Sequence, residues 1–467
     1  MKKGQIYEGL VSEYRFPNKG VVLCDGREVV VKGALPGQKI RFTASKIRAG
    51  VCEGRLLEVL ERSPLEDSQP ACSHFGECGG CTYQNLSYES QLILKSKAGK
   101  DLISSVYPEF VFEGIKGSPV RHGYRNKMEF TFGDECKDGP FALGLHRKGS
   151  FHDIVNVRDC SIVHEDFNII RNAVRDFFNE YYVRGEIDFY KKTTHRGYLR
   201  HLLIRKAVNT GEILIALVTA SPSGSDRLSD EQTIIDAFQD MVLNLNLEGH
   251  IEGLIHIYND ALSDVVKADS SEILFGRDYI YETICGLKFK ISTFSFFQTN
   301  SLGAEVLYRK ALEYASFDKG GVIYDLYSGT GTIAQLMSPA AERVIGVEIV
   351  EEAVEAAKEN AALNNIDNVE FIAGDVLKVI CGDEGENLPA PDLIILDPPR
   401  EGVHPKALGR ILSYGVDKIV YISCKPTSLA EDLRAFKIAG YIIEKASCVD
   451  MFPDTVHVET VVLMTKE

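Results

Sequence analysis

Val322-Ile323-Tyr324-Asp325-Leu326-Tyr327-Ser328-Gly329-Thr330-Gly331-Thr332 is the stretch on which the reading of this 467-residue chain turns. A short apolar run ends in an acid, passes two glycines and opens on a helical pattern, which is the form of a strand, a tight turn and a helix. Glycines in such a turn let a ligand approach the backbone closely. Apolar runs recur at 344–347, 369–372, 393–396 and 418–422, spaced by helical patterns such as 351–364. That alternation predicts a parallel, doubly wound sheet, in which ligands bind beyond the carboxyl ends of the strands. Those ends carry Glu348, Gly374-Asp375 and Asp397-Pro398-Pro399-Arg400.

The ordered acids say more than the glycines. Glu348 stands about twenty residues past the turn, where a carboxylate accepts from two ribose hydroxyls, and Asp375 is placed for an adenine edge. The series is that of an S-adenosylmethionine (SAM) pocket rather than a dinucleotide site. Asp-Pro-Pro also fits amino-methylation of a base, but that chemistry prefers an aromatic after the prolines, where Arg400 stands.

One strand later, Ser423-Cys424-Lys425-Pro426 places a thiol at the same sheet edge. Carbon 5 of uracil is a poor nucleophile; thiolate addition at C6 makes C5 enolate-like, able to take a methyl group and then lose its proton to a base. Cys424 suits the nucleophile. Glu459, in His457-Val458-Glu459-Thr460, suits the base, with His457 to orient it. Taken alone, a cysteine is usually a buried small hydrophobe and a glutamate a solvated charge.

Length and 45% hydrophobic content call for several cores. No run is long and apolar enough to span a membrane, so a cytoplasmic protein with no membrane partner and no obligate protein partner is expected. The net charge of −15 argues against a polyanion, but residues 1–60 hold 11 Lys/Arg against 6 Asp/Glu, while acids gather later, as in the loop 382–386. Short runs separated by Pro, Gly and Asp turns in that basic stretch predict a small closed, OB-like β-barrel over 1–61. An α+β central domain is expected over 62–275, and a Rossmann-like catalytic domain over 276–467. Two cationic and aromatic segments, 121–130 and 199–206, are candidate RNA contacts.

Eleven cysteines in a reducing compartment speak against a disulfide framework. Cys72, Cys78 and Cys81 share one Gly-rich loop, and Cys160 could complete four thiolates, a set that suits zinc or [4Fe-4S] with little to separate them by spacing. Cys24, Cys52, Cys136, Cys285, Cys381 and Cys448 read as packing residues.

Taken together, Phe296-Phe297-Gln298-Thr299-Asn300, Asp325 to Thr332, Asp397-Pro398-Pro399-Arg400, Ser423-Cys424-Lys425-Pro426 and His457-Val458-Glu459 resemble the RNA uracil-C5 methyltransferase family. With the basic barrel, which resembles a TRAM domain, the likeness is nearest the bacterial 23S rRNA (uracil-5-)-methyltransferases and spans nearly the whole chain. The resemblance implies SAM-site roles for Gln298, Tyr327, Thr332, Glu348, Asp375 and Asp397, Cys424 as nucleophile and Glu459 as base. It also implies a [4Fe-4S] cluster on Cys72, Cys78, Cys81 and Cys160, and 5-methyluridine in 23S rRNA as product. A uridine in the tRNA T-loop is the nearest alternative, and a non-catalytic RNA-binding or assembly factor is a rival of another class. Lys425 departs from the family's usual Asn, Tyr327 from a common Phe and Asp454 from a common His. Lys425 is expected to lower the Cys424 pKa or to touch a phosphate.

Overall fold

The computed structural model describes residues 1–48, 51–225, 227–263, 268–316, 320–382 and 388–467; the acidic loop singled out above lies, from Asp383 onward, outside them. The N-terminal barrel is closed by five strands, Ile6–Arg15, Lys19–Cys24, Arg27–Lys32, Lys39–Arg48 and Val51–Glu61, around Val22, Val29, Val31, Ile40 and Phe42. The last strand carries no clear alternation and was not expected from sequence. Some of the barrel's cations are answered locally: Arg15 pairs with Glu13 and Glu28, Arg41 with Glu8 and Glu58, Lys39 with Glu61.

A seven-stranded sheet follows, in the order Ser270–Gly276, His250–Tyr258, Glu212–Thr219, Leu199–Lys206, Lys127–Asp134, Phe141–His146, Ile154–Val155. Helices Glu165–Arg184 and Glu231–Leu243 cover it through Phe167, Phe178 and Phe238. Here one expectation fails. Leu199–Lys206 is buried along its entire length, and its cations brace loops instead of meeting RNA. Arg200 donates to the carbonyls of Asn259, Ala261 and Ser263, Arg205 to those of Thr293 and Ser295, and Lys206 pairs with Asp166 at 2.7 Å. Segment 121–130 is only partly internal: Tyr124, Met128 and Phe130 are buried, Tyr124 donating to the Pro453 carbonyl and Asn126 to that of Gln298, whereas Arg121, Arg125 and Lys127 are half-buried and His122 is exposed. A central strand covered on both faces can keep cations only where carbonyls or carboxylates meet them.

The C-terminal sheet has eight strands in the order Val369–Ala373, Arg343–Glu348, Val322–Leu326, Leu393–Leu396, Lys418–Ser423, Glu459–Lys466, Tyr441–Val449, Val111–Lys116. The first five run parallel; Glu459–Lys466 enters antiparallel. Its edge strand Val111–Lys116, and the helix Tyr88–Ser104 packed beside it, come from the segment assigned by sequence to the central domain. A six-residue strand does not encode its partner, so that boundary was invisible locally. Cys52 and Cys448 are buried as expected of packing residues, whereas Cys136 and Cys381 are exposed.

One buried ion pair fastens the helix to the sheet. Lys95 Nζ donates to Asp450 Oδ1 at 2.7 Å and to the Phe452 carbonyl at 2.9 Å, with both side chains at most 1% exposed. Lys95→Met strands a buried carboxylate and is expected to cost about 3–5 kcal/mol. Urea unfolding measures it; a loss within experimental error would mean that Asp450 finds another partner.

Candidate active site

The carboxyl ends of adjacent strands converge as the sequence implied. After Val322–Leu326 the chain turns sharply: Tyr327 has φ 71°, Gly329 φ 53° and Gly331 φ 76°. At Gly331 a Cβ would come within 2.4 Å of the Phe371 ring, so conformation and space both require glycine there. Thr332 opens the following helix, 6% exposed. Glu348 accepts from the Gly329 and Val350 amides, each at 3.0 Å, which locks the second acidic strand end against the turn. Asp375 caps the helix Val376–Cys381 by accepting from the Leu377 amide at 2.8 Å. The Gln298 carbonyl accepts from Asn126, and its side chain hydrogen-bonds Tyr308. Tyr327, Glu348, Asp375 and Asp397 thus stand at or just past the carboxyl ends of adjacent strands, with Thr332 opening the helix after the first and Gln298 joined to them through Tyr308.

Cys424 and Glu459 come together through strand register. Ser423 pairs with Thr460 across Lys418–Ser423 and the antiparallel Glu459–Lys466, so one step further sets Cys424 opposite Glu459. Both lie beside Asp397. Burial first, then the charges of Glu459 and Asp397, push the Cys424 thiol up to about 11, and Arg400 draws it back. Burial and Asp397 push Glu459 up to about 8. Asp397 keeps some surface in the cleft, yet the surrounding protein holds it at about 7. The cation acting most on the thiol is therefore Arg400, and the expectation that Lys425 does so is not met; Lys425 is exposed and caps the helix Pro426–Ile438 with its backbone. His457 packs edge-on against Phe452, its pKa lowered by burial and nearby cations.

Sequence reading missed the buried Tyr308, the depth of Asp325 and the loop hub at Asp454. Asp454, fully buried with φ 65°, accepts from Gln91 at 2.8 Å and Arg121 at 2.9 Å, and its carbonyl accepts from the Thr82 and Tyr83 amides. It joins the cysteine loop to the turn before Glu459. The departure from His at this position is the signal that could have marked it.

The cysteine loop is zipped to the segment around Cys160: Gln84 donates to Ser161 Oγ and accepts from the Cys72 amide, and Ser73 donates to Asp159. Burial raises all four thiols, Cys81 to about 12 and Cys160 to about 11, and the charge of Cys72 and Cys78 adds to that of Cys160. The donor chemistry fits a thiolate-bound metal. Among the described residues, however, no three His, Cys, Asp or Glu side chains gather as a metal-holding group, so the expected tetrad is near but not assembled.

Comparison with known proteins bears on this geometry. An uncharacterised RNA methyltransferase of Caldanaerobacter subterraneus subsp. tengcongensis is 47% identical over 467 residues, covering all of both chains. The family described as tRNA (Uracil-5-)-methyltransferase matches residues 248–377 and 389–467, which hold every candidate SAM and catalytic residue. The chain belongs to the RNA (uracil-5-)-methyltransferase family. This methyltransferase is also 47% identical to an uncharacterised RNA methyltransferase of Clostridium acetobutylicum, over 100% of its own length and 99% of the relative's. Among solved structures, the Pyrococcus abyssi tRNA (uracil-54, C5)-methyltransferase in complex with S-adenosyl-L-homocysteine shares its fold with TM-score 0.72 and 25% identity, covering 98% of this chain and 100% of that one. The methyltransferase is a SAM-dependent enzyme of RNA. No helix among its described residues is long and apolar enough to cross a membrane.

Proposed function

We propose that this enzyme methylates C5 of one uridine in 23S rRNA through a covalent Cys424 adduct at C6, giving 5-methyluridine in the cytoplasm. The observation that supports it is the register that sets a thiol opposite a buried carboxyl at the end of the SAM-type pocket. Gln298, Tyr327, Thr332, Glu348, Asp375 and Asp397 would hold SAM, which supplies an electrophilic methyl group. Cys424 Sγ, eased toward thiolate by Arg400, would bond to C6; the electron density gathered at C5 would take the methyl group as its bond to the sulfonium breaks, the pair staying on sulfur to give S-adenosylhomocysteine. Glu459 then takes the C5 proton, the C5=C6 bond re-forms and the Sγ–C6 bond breaks. A depth of this kind requires the base to leave its stack.

A tRNA uridine is the second reading, favoured by the likeness to a tRNA enzyme over nearly the whole chain, barrel included. Incubation with methyl-tritiated SAM and separate unmodified 23S rRNA and tRNA, followed by nucleoside analysis, is the test. Labelled 5-methyluridine in rRNA alone is expected; label in tRNA alone would move the substrate, and no label in either would favour an RNA-binding or assembly role.

The resemblance and the four zipped thiols support a structural [4Fe-4S] cluster on Cys72, Cys78, Cys81 and Cys160. Anaerobically purified protein is expected to be brown, with iron and acid-labile sulfide in equal amounts, and Cys78→Ser to bleach it. Colourless, zinc-containing protein would overturn the cluster.

A further inference from the structure

The floor of the pocket carries more acid than the chain answers. Asp325 is completely buried, and neither carboxylate oxygen has a hydrogen-bond partner at ordinary geometry. The groups acting on it are Asp397 and Glu348, both acidic, and the Ala334 amide, the one easing influence. Asp397 ends the neighbouring strand, Cys424 the next, and Glu459 begins the one beyond, 4% exposed. From the helix Ser301–Ala315, Tyr308 closes over the group and feels Asp397, Asp325 and Glu459 together; its hydroxyl is held neutral by burial. Arg400, exposed at the rim, is the cation that acts on Glu459 and Cys424. Burying several carboxyls together without matching cations forces them to keep protons or to await a positive ligand.

We infer, resting on the SAM-dependent reading above, that Asp325, Asp397 and Glu459 act as one charge-sensing group: it holds a proton in the free enzyme, yields it to solvent when a cationic ligand enters, and ties the basicity of Glu459 to that ligand's charge. Asp397 is the link: it stands on the strand next to that of Asp325 and acts on both Asp325 and Glu459, which lie three strands apart.

The coupling has a direction that serves the reaction. While a sulfonium lies in the pocket, the carboxylates are ionised and Glu459 is ready to accept. When the C5–CH3 bond forms and the S–CH3 bond breaks, the electron pair stays on sulfur and the positive charge disappears. The group then lacks its counter-charge, and Glu459 becomes more basic at the step in which it must take the C5 proton. The C–H electron pair forms C5=C6, and Cys424 leaves as thiolate. Asp325 is a positioning residue here, acting through its charge on the other two.

Calorimetric titration of the full-length protein at pH 7, in two buffers of different ionisation enthalpy, tests this with three ligands: SAM, S-adenosylhomocysteine, and sinefungin, whose protonated amine replaces the sulfonium. SAM and sinefungin are expected to release about one proton more than S-adenosylhomocysteine. The SAM Kd is expected to rise by up to about tenfold for each pH unit below pH 8, with the S-adenosylhomocysteine Kd much flatter. The sign follows from raised carboxyl pKa values, because protons retained at low pH must be expelled for the cation to bind. Asp325→Asn should remove most of the extra release, and the difference from wild type with the same ligand isolates the chain's contribution. Should that variant not fold, Glu459→Gln carries the same expectation. Equal proton counts for all three ligands would overturn the coupling and leave the SAM site standing; no SAM binding at all would overturn the reading beneath it.

Discussion

Cys424→Ala is expected to lower methyl transfer by about 10⁴-fold or more, the scale on which enzymes lose turnover when a covalent nucleophile is removed. The loss should fall on kcat, because no interaction assigned to SAM passes through the sulfur; SAM affinity should stay near that of wild type. The covalent enzyme–RNA band, which resists denaturing electrophoresis, should vanish as well. The structure explains why the effect is so large. Burial and two flanking acids push this thiol up to about 11, and Arg400, with a backbone amide hydrogen bond, favours its ionised form. A variant that kept one-tenth of the activity would show that methylation proceeds without the adduct, and a variant that lost SAM binding would show that the pocket has been misplaced.

Glu459→Gln should separate the two halves of the reaction. The amide is nearly the same size, but it cannot take the C5 proton, so methylation of the adduct proceeds and elimination stalls. Overall turnover is expected to fall about 10²- to 10⁴-fold, the usual contribution of a general base. A methylated covalent complex should accumulate, visible as tritium retained on protein after denaturation. Normal turnover without trapped label would remove Glu459 from this role and pass it to Asp397, the other raised carboxyl beside the thiol.

Much of this site was legible because the relevant signals are local. Asp325 to Thr332 combines an apolar strand, turn glycines and a helix start within eleven residues of Val322, and the backbone there needs what the sequence offers: left-handed φ at Gly329 and Gly331. Glu348 and Asp397 follow an apolar run directly and Asp375 comes shortly after one, so a parallel sheet places them at one edge whatever the loops do. Cys424 follows the same rule. Where the chain reading failed, the deciding contacts were distant. The cations of 199–206 resemble an RNA-binding strand when read alone, and only the sheets and loops around them turn Arg200 and Arg205 inward.

Sequence by itself therefore determined the fold of the catalytic region, the family and the residue types available for chemistry, because period, glycine position and acid position act within a few residues. The tertiary structure decided the rest. It set Glu459 opposite Cys424 by inserting an antiparallel strand, added Val111–Lys116 to the sheet edge from more than three hundred residues away, and buried Asp325 beside Asp397 with no hydrogen-bond partner for its carboxylate. Strand register and mutual burial are properties of pairs distant in sequence, and electrostatic shifts follow from that burial; no local pattern carries them.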